Sequence, residues 1–199
     1  MTRVLLGSGV VGAGLFVAVF VVDGATRPGY RPAHHTVSAL ALGPRGWVQT
    51  ANFIVTGLLM IAAAAGLRAE TGLVIGPALL AIFGVSLVAS GIFPMDAMQG
   101  YPPGTSLTTP TVYSRSHRLH DVFGFLVFSA LPAACFAFAI SFTGGWRIYS
   151  FTTAAALVAL FVVFGIAMEA EAPRTGLIQR LMIVVGWTWI GLVCLYLMP

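Results

Sequence analysis

The residues whose types and spacing suit chemistry concentrate in SRSHRLHD, residues 114–121, where a polar stretch runs into an apolar one. With a helix beginning near Ser116, His117, His120 and Asp121 stand at i, i+3 and i+4 and share one face of its first turn. Two imidazoles on one turn can offer nitrogens to a single ion, and His35 or Asp96 would supply a third ligand, leaving a coordination position for water as catalytic zinc sites do. The candidate metal ligands are therefore His35, His117 and His120, with zinc the expected ion. A helix N-terminus disfavours protonated imidazole, which keeps such ligands competent. Ser38, Asp96 and Asp121 are the candidate catalytic groups. HxxH is a much weaker signal than HExxH. The plainer reading stays open beside it: Asp121 stabilises the start of a helix, Asp96 pairs with Arg115 or Arg118, and the histidines are hydrogen-bonded loop anchors.

The elements that must position these residues are membrane spans. Of 199 residues, 58% are hydrophobic and 8% charged, far from the composition of soluble domains. The ten cations are all Arg and form no basic run, which excludes nucleic acid as a partner. The expected fold is all-α: one transmembrane domain over residues 1–199, with spans at about 4–22, 48–67, 73–93, 119–141, 147–167 and 177–197. A signal peptide competes for the first. Only Arg3 would form its n-region, and Asp23 and Arg27 follow where small residues are wanted, so the segment reads as a retained span. Ser8 with Gly12, or Gly9 with Ala13, places small residues four apart for helix packing. In the first polar connection, residues 34–42 form a short interfacial helix after Pro32, ending at Gly43-Pro44. Gln49, Asn52 and Thr56 make a polar stripe that faces other helices. Pro132 is a kink site in the fourth span. Trp187 and Trp189 read as packing residues, and Cys135 and Cys194 as buried thiols.

Six spans put both termini on one side. The polar connections after spans one, three and five, with the helix start at 119–121, then share the other face and hold all four His and five of the six acids: Asp23, Asp96, Asp121, Glu169 and Glu171. The Arg count is three on the terminal side (Arg3, Arg68, Arg147) and seven on the polar side (Arg27, Arg31, Arg45, Arg115, Arg118, Arg174, Arg180). Taken literally, the positive-inside rule makes the polar side cytoplasmic. Several of those Arg are interleaved with acids and His, a pattern that serves pairing as well as topology.

RPGYRPAHHTVSALALGPRGWVQTANFIVTGLL, GIFPMDAMQGYPPGT, SHRLHDVFGFLVF and LPAACFAFA closely resemble the bacterial membrane family called domain of unknown function 998, over nearly the whole chain. The resemblance implies a six-helix membrane fold and a patterned polar face involving His35, Ser38, Trp47, Gln49, Asn52, Asp96, Gly100, Pro103, His117 and His120. It also implies basic residues in the turns at 68–72 and 142–147, hence cytoplasmic termini and extracytoplasmic polar loops, against the raw Arg count. It carries no reaction.

Three functions follow as expectations. The first is a metal-dependent intramembrane hydrolase acting on a lipid or amphiphile. Its Ser, Asp and His set resembles alkaline ceramidases and adiponectin receptors in chemistry, though not in motif spacing. The second is a lipid or small-molecule binding or transport protein, with Arg31, Arg45, Arg115 and Arg118 on phosphate and Gln49, Asn52 and Tyr101 completing the contacts. No span carries a charge at its middle, which weighs against coupled transport. The third, a b-type haem protein, is least favoured because all four His lie at one face.

Overall fold

The computed structural model describes residues 1–198, and among these there are six α-helices, one short 3-10 helix and no strand. The helices are α1 (Thr2–Ala25), α2 (Gly46–Thr71), α3 (Ile75–Ile92), α4 (Arg115–Ser141), α5 (Gly144–Glu169) and α6 (Thr175–Tyr196). Each is long and apolar enough to cross a membrane. Each expected span overlaps one of these helices, with 73–93 and 177–197 running one or two residues beyond α3 and α6. The helix of α4 begins at Arg115, one residue ahead of the expected Ser116 and four ahead of the span expected from 119, because Ser114 caps it. The Ser114 hydroxyl accepts the His117 N–H at 3.0 Å, satisfying an amide that would otherwise have no partner in the first turn.

Very short connections join α2 to α3 and α4 to α5, so each pair forms an antiparallel hairpin. Gly72 ends α2 in the left-handed conformation at φ +71°, its N–H returning to the Arg68 carbonyl at 3.1 Å. Successive helices are neighbours, and α1 returns against α6, closing a ring. The α2–α3 crossing depends on two glycines. A Cβ on Gly57 would lie 2.6 Å from the Gly84 carbonyl oxygen, and one on Gly84 2.7 Å from that of Gly57. Inside the ring Trp187 stacks on Phe16 with centroids 4.3 Å apart, and the Trp189 indole donates to Ser150 Oγ at 3.0 Å. Both tryptophans and both free cysteines are buried, as their sequence context indicated. Pro132 is buried inside α4, and the helix continues through it.

The first connection departs from the expected helix over 34–42. A 3-10 turn, Val37–Ala41, forms instead. The carbonyls of Ala33 and His34 accept the N–H groups of Leu177 and Gly176 at 3.0 and 3.1 Å, so they serve the start of α6 and not a local helix. The Val37 N–H donates to Gln179 Oε1 at 2.7 Å. Arg180 then fastens the segment, donating to the carbonyls of Pro32, His35 and Gly176 and to the Tyr30 hydroxyl.

Candidate functional site

The connections after α1, α3 and α5 meet at one end of the ring. His35 bridges the first two: its Nδ1 accepts the Arg31 N–H at 3.0 Å, which leaves Nε2–H to donate to the Gln99 carbonyl at 3.2 Å. Burial pushes the His35 imidazole below its ordinary range, only partly offset by the Gln99 carbonyl, so the ring is neutral near pH 7. The Thr109 hydroxyl donates to the Glu171 carboxylate, tying the second connection to the third. Beneath them Arg27 is held by Asp23 at 2.8 Å, by the carbonyls of Leu40, Leu42 and Arg45, and by the Tyr101 hydroxyl at 3.1 Å. Asp23 and Arg27 are buried, and Arg45 makes a second ion pair with Asp23 at 2.6 Å. A buried carboxylate with two guanidinium partners and well-occupied donors is a structural clamp.

Within this frame lies a cavity of about 390 Å³. Its polar lining comes from every side: Thr36 and Ser38, Gln99, His120 and Asp121, Glu169, and Gln179. A narrow apolar chamber of about 40 Å³ shares Ser38, Phe53, Leu87, Val127, Phe128 and Gln179 with it and continues to Phe16, Pro132 and Trp187. The two together have a polar mouth and an apolar stem.

The two histidines of α4 are used differently. His117 Nδ1 accepts the Asp96 N–H at 2.8 Å, and Nε2 lies 3.3 Å from Asp121 Oδ2. Tyr113 stacks on the ring at 4.2 Å. His120 turns Nδ1 toward the carbonyls of Phe93, at 2.8 Å, and Ser90, at 3.3 Å, at the end of α3. Two carbonyl neighbours require a proton on Nδ1, so in the neutral ring Nε2 carries the lone pair, and it has no protein partner among the described residues. His120 thus ties α4 to α3 with one nitrogen and brings the other to the cavity.

Of the expected metal trio, then, His35 and His117 have both ring nitrogens occupied, and only His120 has one free. No group of three His, Cys, Asp or Glu among the described residues is arranged to hold an ion. The donor set does not fit a three-histidine zinc site as it stands. Asp96 brackets the α4 start, its carboxylate accepting the Ser114 N–H at 2.8 Å. Slight burial raises its pKa, but Ser114 and His117 outweigh that and hold it below the usual carboxylate range. It pairs with no Arg and does not line the cavity. Ser38 and Asp121 do line it.

None of the expected phosphate-binding Arg reaches the cavity lining. Arg45 is paired with Asp23, while Arg31, Arg115 and Arg118 are exposed. Tyr101 is buried in the clamp. Gln49 and Asn52 bond each other at 3.3 Å, and Asn52 reaches the Phe16 carbonyl on α1 at 3.2 Å, so they tie helices together away from the cavity. Gln49 Nε2 and Asn52 Oδ1 are left without partners.

Two features escaped sequence reading. Gln179 faces the cavity from the second turn of α6, and its signal was a lone amide inside an apolar span. The Asp23–Arg27 pair was legible as an i, i+4 spacing. The model of the family described as "Protein of unknown function (DUF998)" matches residues 10–196. No curated protein and no solved structure matches the chain.

Proposed function

We propose, for a chain that belongs to the DUF998 family of membrane proteins, that the cavity is a binding site for an amphiphile, with its polar end among Ser38, His120, Gln179, Asp121 and Glu169 and its apolar end against Val127, Pro132 and Trp187. The observation that carries this reading is the joining of a polar-mouthed cavity of about 390 Å³ to an apolar stem inside the helix ring. Burying an acyl chain there contributes roughly 0.8 kcal/mol per CH₂, and the mouth supplies hydrogen bonds that lipid cannot. The test is native mass spectrometry of protein purified in mild detergent. A retained small amphiphile is expected, and Val127→Trp, at the junction of the chambers, removes it while the fold persists. A wild type that carries nothing, or a variant that carries as much, overturns the reading.

A hydrolytic reading is favoured by one observation: Ser38 and His120, whose Nε2 has no protein partner among the described residues, line the same cavity. It expects turnover of 4-nitrophenyl dodecanoate that is lost in both Ser38→Ala and His120→Asn. Turnover unchanged in either variant discards it. A zinc hydrolase requires stoichiometric zinc by elemental analysis, lost in His120→Ala. With one free imidazole nitrogen in the trio, the binding reading expects none.

We place the loop end outside the cytoplasm. Of the seven Arg at that end, Arg27, Arg45 and Arg180 are committed to the protein's own carbonyls and to Asp23, and of the three at the terminal end Arg68 is committed to the Gly72 carbonyl; the remaining four against two keep the sign of the raw count, so the placement rests on the family resemblance. A membrane-impermeant maleimide should label Ser106→Cys in intact cells and Ala69→Cys only after lysis. The opposite pattern reverses the orientation.

A further inference from the structure

We infer that the cavity selects an amphiphile whose polar end is a protonated amine, over neutral or phosphorylated counterparts of the same chain. The inference rests on the binding reading above and adds the headgroup class.

The charged groups lining the cavity are of one sign. Asp121 enters from the second turn of α4 and Glu169 from the last residue of α5, the adjacent helix, while no Arg contributes to the lining. Neither carboxylate has an Arg partner within 4.0 Å. The contact Asp121 does make is with Nε2 of His117, whose other nitrogen accepts a backbone N–H from Asp96. A His117 ring holding its one proton on Nε2 leaves the Asp121 charge uncompensated. The carboxylates alone would be a solvated acidic pair. The independent observation is His120: its side chain is more than nine-tenths buried, Nδ1 is spent on the α3 carbonyls, and Nε2 is an acceptor without a protein donor. Nε2 opens on the cavity that His120 lines, so it is an acceptor that a donor on the ligand can fill. An ammonium group supplies three N–H donors and the charge that answers Asp121 and Glu169. A phosphate brings the wrong charge and meets two carboxylates without one guanidinium. The Gln179 amide nitrogen, bonded through its oxygen to Val37 and unpartnered itself, is a donor for a ligand hydroxyl, so an amino alcohol uses the lining more fully than a simple amine.

The experiment uses the full-length protein in nanodiscs of zwitterionic phosphatidylcholine, with dodecylamine, dodecanol and dodecyl phosphate each displacing a brominated C12 chain that quenches Trp187, against Trp187→Phe as background. The expected order is amine, alcohol, phosphate, with dodecylamine about tenfold tighter than dodecanol, the ratio that one charge pair at a half-exposed mouth produces. Glu169→Gln with Asp121→Asn should reduce that ratio to about one, and Glu169→Gln alone, at an exposed helix end, gives a partial loss without touching the His117 contact. Saturable binding of all three chains with equal affinity, or a preference for the phosphate, overturns the inference and leaves the binding reading intact. No saturable quenching by any chain overturns both.

Discussion

His117 and His120 stand three residues apart on one helix and end with opposite availability, because each ring is committed by what lies beside it in space. His120 bridges α4 to the last carbonyls of α3, so His120→Ala should lower the thermal midpoint in detergent by the equivalent of about 1–3 kcal/mol. The scanning-calorimetry loss should be smaller in His120→Asn, which keeps a donor. Gln49 is the reverse case. Its Nε2 is fully buried without a partner, so Gln49→Met should leave the midpoint unchanged or raise it, although Asn52 loses an acceptor. A marked drop would show that an unseen partner completes the amide. At the loop end, burial holds His35 below its ordinary value of 6.5, and His34 shifts the same way for the same first cause. The unfolded chain therefore takes up these protons first. Stability should be constant above pH 6.5 and fall as pH drops from there toward the folded-state values, with a shallower fall in His35→Gln. Asp96 adds to the loss only under stronger acid, below its unfolded value of 3.8, as pH falls through its depressed folded value.

At the scale of elements, α6 and the first connection behave as one unit. The amides that open α6 are satisfied by His34 and Ala33 carbonyls, and Arg180 gathers three more carbonyls of the same neighbourhood. A Cβ on Gly176 would press into the carbonyls of His35 and Pro32, which are backbone and cannot rotate away. Gly176→Ala should therefore open the loop end before the ring: faster hydrogen exchange at His35 and Val37, with exchange in α2 and α3 unaltered. Uniform acceleration would place the damage elsewhere. The α2–α3 hairpin responds globally, since Gly57→Val forces apart two helices whose carbonyls touch at that crossing. A loss on the order of 1–3 kcal/mol is expected for such overpacking, read as a lower midpoint without a change in loop exchange.

For the whole molecule, the closed ring explains how a chain with so few charged residues keeps a polar chamber. Lipid tolerates no unpaired backbone, so the three irregular connections stack on each other and on the helix ends, and their side chains close over the space between α2, α3, α4, α5 and α6. The Asp23 clamp lies under this stack and holds the α1 exit to the α2 start. Arg27→Met should uncouple them, with a midpoint loss on the order of 3–5 kcal/mol, because Asp23 keeps only the exposed Arg45 as partner. Circular dichroism should show helix content retained while the midpoint falls. An unchanged midpoint would mean that Arg45 suffices.

Length and apolar composition were enough to count the spans, to pair α2 with α3 and α4 with α5 through their short turns, and to gather the histidines and most acids at one end. Those properties are local: a run of about twenty apolar residues and a turn of two or three determine crossing and direction whatever the neighbours do. The same locality explains the buried tryptophans and cysteines. The fate of each polar group was another matter. Residues 34–42 carry a helical pattern, and the start of α6 diverted the carbonyls of Ala33 and His34. His35, Asp96 and Arg45 have the chemistry of a site and were absorbed into brackets and an ion pair, while Gln179, which no motif marks, faces the cavity. A hydrogen bond satisfies one donor with whichever acceptor folding brings within 3 Å, and that acceptor is dozens of residues away here. Only the tertiary structure therefore decided which nitrogen was left free.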